Sequence, residues 1–217
     1  MYSMIEKRQH WEKVFQTKTP AEVSWTEKYP QTSMDCIQTV TLDKGLPVID
    51  IGGGDSLLVD ALLEDGFTDV SVLDISEKAL QRAQERLGTR SKEVSWIVSD
   101  VLDFKPEKKY ALWHDRASFH FLTQQEDIQR YTQLINHAVS NTLIVGTFST
   151  SGPLKCSGLP ITQYSCASLS NNFEGGFKTL DCIEVTHRTP FDTEQNFVFG
   201  SFKKRIKVWE ADPQQPL

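Results

Sequence analysis

Short apolar runs alternate with amphipathic stretches along most of this chain. Residues 48–51, 70–73, 94–98, 110–113 and 141–148 are strand-length and mostly apolar. Continuous runs of this kind predict strands covered on both faces, as in a parallel sheet. Between them, Leu57, Leu58, Ala61 and Leu62 recur at the spacing of one helix face. So do Ala79, Leu80, Ala83 and Leu87, and then Ile128, Tyr131, Leu134, Ile135 and Ala138. Ser76 is placed to cap the second of these helices, and Gly88 to stop it. Thr123-Gln124-Gln125-Glu126 has the form of a capping box for the third. Strands alternating with helices predict an α/β domain built on a parallel sheet.

The two ends of the chain depart from that rhythm. Residues 2–16 predict an amphipathic helix with Ile5, Trp11, Val14 and Phe15 as its apolar members. A loop follows at 19–25, and Thr32-Ser33 is placed to cap a helix from Met34 to about Leu42. Beyond the fifth run, residues 150–165 form a long stretch rich in turn formers, and loops of that length in a compact domain are usually functional or disordered. Residues 177–186 and 195–208 then predict an antiparallel pair joined by the turn-rich segment 187–193. Lys203, Lys204, Arg205 and Lys207 fall on alternating faces of its second strand, which reads as a solvated edge. Residues 212–217 are expected to fray.

Composition narrows the picture only a little. The 217 residues suit one α/β domain, with 39% apolar and 24% charged residues as in ordinary globular proteins. A net charge of −6 argues against a standing nucleic-acid partner, which usually needs a basic face. No apolar run reaches membrane-spanning length. Cys36, Cys156, Cys166 and Cys182 show no C-x-x-C spacing, and the N-terminus has no signal-like character. Reduced thiols and a cytoplasmic setting are therefore expected. No metal-ligand constellation stands out.

Candidate chemistry begins where the first strand ends. Asp50-Ile51-Gly52-Gly53-Gly54-Asp55-Ser56 passes from strand to helix through three glycines. A strand, a glycine turn and a helix form the nucleotide-site geometry of doubly wound sheets. A dinucleotide site wants G-x-G-x-x-G, whereas Ser56 stands near the third glycine position here. Asp55 would also set a negative charge beside any phosphate. Both features favour a ligand without phosphate, and S-adenosylmethionine fits. Asp74 closes the second strand, where an acid can accept both ribose hydroxyls. Asp100 follows the third strand and could accept from the adenine amino group, with Val101 offering its backbone amide.

The fourth strand runs into His114-Asp115-Arg116-Ala117-Ser118-Phe119-His120-Phe121. In an open parallel sheet, ligands bind at the carboxyl ends of the strands, so two histidines, an acid and an arginine at this point are candidates. The structural alternatives are a locally paired Asp115 and Arg116, and a satisfied core His120.

The segments DIGGGDS, VLDIS, SDVLDF and WHDRASFHF, in that order, resemble the successive motifs of class I S-adenosylmethionine-dependent methyltransferases. The resemblance covers residues 40–148. The serine at the third glycine position departs from the strict pattern. W…VSW before the first strand and GP…CSGLP…YS after the fifth resemble a small bacterial-type subgroup of that family. The resemblance implies a Rossmann-like doubly wound sheet of seven strands, mostly parallel, with the last strand antiparallel. It implies an N-terminal helical lid at 1–42 and a methyltransferase domain at 43–210. It implies cofactor contacts from Trp25, Asp50, Gly52, Gly53, Gly54, Asp74, Ile75, Asp100, Val101 and Asp115. His114, Asp115 and Arg116 would meet the methionine end, and His120 would act as a base on the acceptor side. Cys156 and Tyr164 would wall the acceptor. The competing structural readings are Trp11 and Trp25 as core anchors, and 150–165 as a structural loop.

Methyl transfer from a sulfonium asks the protein for alignment and water exclusion, so the catalytic signature is faint. The acceptor class narrows to a small molecule or a protein side chain such as lysine. There is no N/D-P-P-Y/F after the fourth strand, no Pro-Cys pair for cytosine carbon and no acid set for catechol. Two other classes compete: a nicotinamide-dependent oxidoreductase, and a module that binds S-adenosylmethionine without transferring its methyl group.

Overall fold

The computed structural model describes residues 4–40 and 42–205. Seven strands make one sheet: β1 (Val48–Ile51), β2 (Val70–Asp74), β3 (Val94–Val98), β4 (Tyr110–Arg116), β5 (Val139–Phe148), β8 (Phe177–Arg188) and β9 (Glu194–Lys204). Their order is β3-β2-β1-β4-β5-β9-β8. The first five are mutually parallel, and β9 runs antiparallel to both β5 and β8. This is the expected doubly wound sheet with an antiparallel final strand.

Helices cover both faces, because consecutive strand residues point to opposite sides. Ile49, Ile51, Trp113, Leu143 and Val145 pack on one face with Tyr131 and Ile135 of α5 (Gln125–Ala138) and Leu169 and Phe173 of α6 (Cys166–Phe173). Val48, Val70, Val72, Leu112 and Ile144 pack on the other. There they meet Met34 and Ile37 of α2 (Gln31–Thr39), Leu58 and Leu62 of α3 (Leu58–Glu64), and Leu80 of α4 (Glu77–Leu87). Each fully buried Leu, Ile or Val contributes about 1.5–3 kcal/mol relative to exposure.

Helix α1 (Met4–Thr17) lies across the N-terminal end of α4. Glu12 accepts hydrogen bonds from the backbone N–H groups of Glu77 and Lys78, at 2.6 and 3.3 Å. A carboxylate here satisfies free amide donors and complements the helix dipole. Ser76 caps α4 as expected, accepting from the Ala79 N–H at 3.2 Å, and Gly88 ends it at φ +58°.

Several expectations need correction. Ile5 is 65% exposed, so the buried face of α1 is carried by Val14 and Phe15. Helix α2 starts at Gln31, behind Pro30, and Ser33 lies inside it, buried, rather than at its cap. Helix α5 starts at Gln125 with no side-chain cap, so Thr123-Gln124-Gln125-Glu126 does not act as a capping box. Strand β4 continues through Arg116, three residues beyond the apolar run that announced it. The stretch after β5 is not structureless. It holds a short antiparallel hairpin of β6 (Lys155–Cys156) and β7 (Leu159–Pro160), and a bridge joins Ser149 to Tyr164.

The cysteine reading also changes. Cys166 and Cys182 form a disulfide that ties α6 to β8, while Cys36 and Cys156 are free and buried. Among the described residues no helix is long and apolar enough to cross a membrane. The expected start of the first helix at residues 2 and 3, the strand end at 206–208 with Lys207, and the fraying of 212–217 lie outside the described residues.

Candidate functional site

The chain builds outward from β1 to β3, then crosses back to place β4 on the other side of β1. Doubly wound sheets carry their ligand crevice at this switch point. A cavity of about 280 Å³ opens there, lined from the carboxyl ends of β1, β2, β3 and β4 and roofed by the N-terminal segment.

The glycine turn forms its floor. Gly52 has φ +64°, a conformation that costs a side-chain-bearing residue about 1–2 kcal/mol. A Cβ on Gly53 would sit 2.6 Å from both Asp50 Oδ2 and Val72 Cγ1, so only glycine fits between them. Asp74 closes β2 beside this floor. Its Oδ1 accepts from the Ser76 N–H at 2.8 Å. Burial pushes its carboxyl up to about 7, against the lowering effect of the Ser76 and Gly54 amides. Ile75, Asp100 and Val101 continue the wall, with Asp100 Oδ1 accepting from the Leu102 N–H at 2.9 Å.

His114 and Arg116 reach the cavity from β4. His114 Nδ1 lies 2.7 Å from Asp50 Oδ1, and its Nε2 lies 2.9 Å from Ser33 Oγ. Asp50 can only accept when ionised, so Nδ1 carries a proton, and in the singly protonated ring Nε2 takes the Ser33 hydroxyl hydrogen. This chain fixes α2 to the sheet. Arg116 donates from Nη1 to the Trp25 carbonyl at 3.1 Å and pairs through Nη2 with Glu27 at 3.3 Å. Burial lowers the pKa of Arg116, opposed by Glu27 and Asp50. Burial also works against the charge of Glu27, but the hydrogen bond from His187 and the charge of Arg116 outweigh it and hold that carboxyl below its usual range. Trp11 packs on Trp25 and Phe121, at ring-centre distances of 5.8 and 5.3 Å, to close the roof. Cys156 lines the cavity as a neutral thiol, pushed up to about 12 by burial against the pull of Arg116.

Trp25, Asp50, Gly52, Gly53, Gly54, Asp74, Ile75, Asp100, Val101, His114, Arg116 and Cys156 therefore share one cavity. Asp115, His120 and Tyr164 are not part of its lining. The reason for Asp115 is strand alternation: His114 and Arg116 face the cavity, so Asp115 faces the opposite layer. There it accepts from the Tyr131 hydroxyl at 2.7 Å and from the N–H groups of Ser118 and Phe119 at 3.1 and 2.9 Å. Burial raises its pKa to about 6 despite those donors. His120 lies in a short turn, Phe119–Phe121, with its ring stacked 4.7 Å from Phe148. Burial, helped by the charge of Arg116, pushes it down to about 3, so it stays neutral. Tyr164 is buried against Phe119, and burial pushes its phenol up to about 12.

Sequence reasoning missed Ser33, Glu27 and Ser118, which all line the cavity. Ser33 carried a helix-cap signal, and nothing linear connects it to His114, 81 residues away. Asp55 also behaves differently from expectation. Its carboxylate pairs with Arg82 at 3.3 Å, so its charge is compensated.

Residues 48–141 match the family model described as Methyltransferase domain. The match spans the glycine turn, both later acidic strand ends and the whole of β4. The chain is similar to malonyl-[acyl-carrier protein] O-methyltransferase 1 of Ilyobacter polytropus (strain ATCC 51220 / DSM 2926 / LMG 16218 / CuHBu1), with 31% identity over 94 residues. That region is 43% of this chain and 32% of the relative. It is also similar to the mouse (Mus musculus) eEF1A lysine and N-terminal methyltransferase, 26% identical over 121 residues, or 55% of this chain and 17% of the relative. The chain thus spans less than a third of either curated relative's length. Its fold matches the crystal structure of a SAM-dependent methyltransferase from Anabaena variabilis ATCC 29413, with a TM-score of 0.73 at 16% identity, covering 94% of this chain and 96% of that one.

Proposed function

We propose that this protein is an S-adenosylmethionine-dependent methyltransferase acting on a small-molecule or protein side-chain acceptor. The observation that carries the reading is Asp74, a buried acid at the end of β2, facing the same cavity as the glycine floor of residues 52–54. A ribose diol supplies the two hydroxyl donors that such a carboxylate accepts. The residues present fit the cofactor in two further respects. Asp50 and Val72 hold position 53 to glycine, which fixes the turn beneath the cavity, and the arginines beside that turn are spent on protein acceptors. Arg82 pairs with Asp55, and Arg86 pairs with Asp60 and donates to the Asp55 and Ser56 carbonyls.

In this reading Asp74 and Ile75 hold the ribose, and Asp100 and Val101 hold the adenine. Gly52, Gly53, Gly54, His114 and Arg116 hold the amino-acid end. Residues 1–42 are the lid, anchored through Trp25 and Glu27 on Arg116, and 43–210 form the catalytic domain. The W…VSW segment and the CSGLP loop support its membership of the small bacterial-type subgroup. The cofactor supplies an activated methyl group. The chain supplies alignment and a dry site: Trp11, Trp25 and Phe121 exclude water, and Cys156 walls the acceptor side. Neither Asp115 nor His120 is part of the machinery proposed here.

Thermal denaturation with saturating S-adenosylmethionine, S-adenosylhomocysteine or a nicotinamide dinucleotide tests the reading. A ligand at 100 times its Kd stabilises by about 2.7 kcal/mol. The first two are expected to raise Tm and the third to leave it unchanged. The reverse pattern would overturn the proposal.

A further inference from the structure

A second cavity, of about 840 Å³, lies directly against the first. The two share Thr26, Glu27 and Arg116 in their walls, so the Arg116–Glu27 pair stands at their junction. The far chamber is built from the N-terminal segment, the end of β8 and the start of β9.

Its charge is unbalanced. Glu27 is taken by Arg116 at 3.3 Å and approached by His187 Nδ1 at 3.5 Å, and Asp192 is taken by Arg188 at 3.3 Å. Lys28 also lines the chamber and makes no ion pair among the described residues. Arg116 has five N–H donors. Its hydrogen bond and ion pair among the described residues use Nη1 on Trp25 and Nη2 on Glu27. Its guanidinium lies 5.3 Å from the centre of the Phe197 ring, which lines the chamber with Val185 and Phe199. Among the described residues the chamber therefore offers unspent Arg116 N–H donors beside Glu27 at its inner end, one unpaired cation in Lys28, and an apolar wall between them.

Among the described residues it also holds no idle base. His187 Nε2 bonds the Ser24 carbonyl at 2.7 Å, and its Nδ1 is turned to Glu27. An acceptor that arrives protonated would need a base within reach. A carboxylate needs none: an oxygen lone pair forms the new C–O bond, the methyl donor keeps the electron pair of the broken bond, and no proton moves.

We propose that this second chamber is the acceptor site, and that it takes a small carboxylate with an apolar body, its anionic end drawn to Arg116 where the two cavities meet. This rests on the cofactor reading above, because it needs the first cavity to hold the methyl donor. Arg116 then faces both ligands, and Lys28 draws anions toward the mouth.

Isothermal titration of the protein, with and without S-adenosylhomocysteine, against octanoate, octylamine and octan-1-ol tests the proposal. Octanoate is expected to bind about tenfold tighter than either analogue. Lys28→Glu should weaken octanoate roughly fivefold through lost attraction at the mouth. Val185→Trp, on the face of β8 that carries the chamber wall beside Phe197, should abolish octanoate binding and leave S-adenosylhomocysteine affinity unchanged. Octylamine binding as well as octanoate, no binding by octanoate, or an unaffected Val185→Trp would each overturn the assignment. Failure of S-adenosylhomocysteine to bind would count against the cofactor reading, while the carboxylate preference would still be read on the unliganded protein.

Discussion

Replacing Gly53 with alanine puts a Cβ 2.6 Å from Asp50 Oδ2 and 2.6 Å from Val72 Cγ1. Neither neighbour can give way freely. Val72 is 1% exposed and packed in the sheet layer. Asp50 is held by His114 at 2.7 Å, which is held in turn by Ser33 at 2.9 Å. Overpacking of a rigid site costs about 1–3 kcal/mol. Loosening the buried Asp50–His114 hydrogen bond adds about 1.5–3 kcal/mol more. Gly53→Ala should therefore lose about 2.5–6 kcal/mol in urea unfolding, with an unchanged m value. Gly175→Ala is the matched control, since nothing lies within 4 Å of its Cβ position. That substitution should stay within about 0.5 kcal/mol of the parent. A Gly53→Ala protein as stable as the Gly175→Ala control would refute the argument that the glycine floor is fixed by its neighbours.

Further expectations concern charge and covalent links. With the Asp74 carboxyl at about 7 in the free protein, a diol that needs the ionised form should bind about tenfold more weakly for each pH unit below that value. An Asp74→Asn variant should lose this dependence, as read by titration from pH 5 to 8, an interval of about three units. The same raised pKa sets the sign for stability. The contribution is fully present below the unfolded value near 4 and is lost as pH rises through about 7, so Asp74→Asn should flatten the stability–pH curve over that window. Tyr131→Phe removes the hydroxyl that donates to Asp115 at 2.7 Å and accepts from the Trp113 indole N–H at 3.0 Å, and should cost about 1–3 kcal/mol in denaturant unfolding. Reducing the Cys166–Cys182 bond, which closes a loop of 16 residues, should destabilise by about 3 kcal/mol on the chain-entropy view. A dithiothreitol-insensitive Tm would contradict it.

The strand-and-helix rhythm was readable because five short apolar runs are separated by three amphipathic faces, with only the gap between the third and fourth runs lacking one, and each is local in sequence. The glycine turn and the acids Asp74 and Asp100 were readable for the same reason: their chemistry sits at the end of an apolar run. What could not be read was side-chain direction beyond a strand's apolar stretch. Asp115 lies between His114 and Arg116 in sequence, yet one residue of strand extension turns it to the opposite layer, onto Tyr131. The partners Ser33 and Glu27 were invisible because they meet β4 only after the N-terminal segment folds across the sheet. The disulfide was missed because Cys166 opens a helix and Cys182 lies on an edge strand, with no motif spacing to join them.

The most direct test of the central claim is isothermal titration of S-adenosylhomocysteine into the wild-type protein and into Asp74→Ala and Asp100→Ala. The account predicts one site per chain, with micromolar or tighter affinity in the wild type. It also predicts a loss of about tenfold or more in Asp74→Ala, the cost of leaving two ribose hydroxyls without their acceptor. Asp100→Ala should lose less, since the Val101 amide remains. Wild-type affinity in Asp74→Ala, or no heat from the wild type itself, would contradict the account.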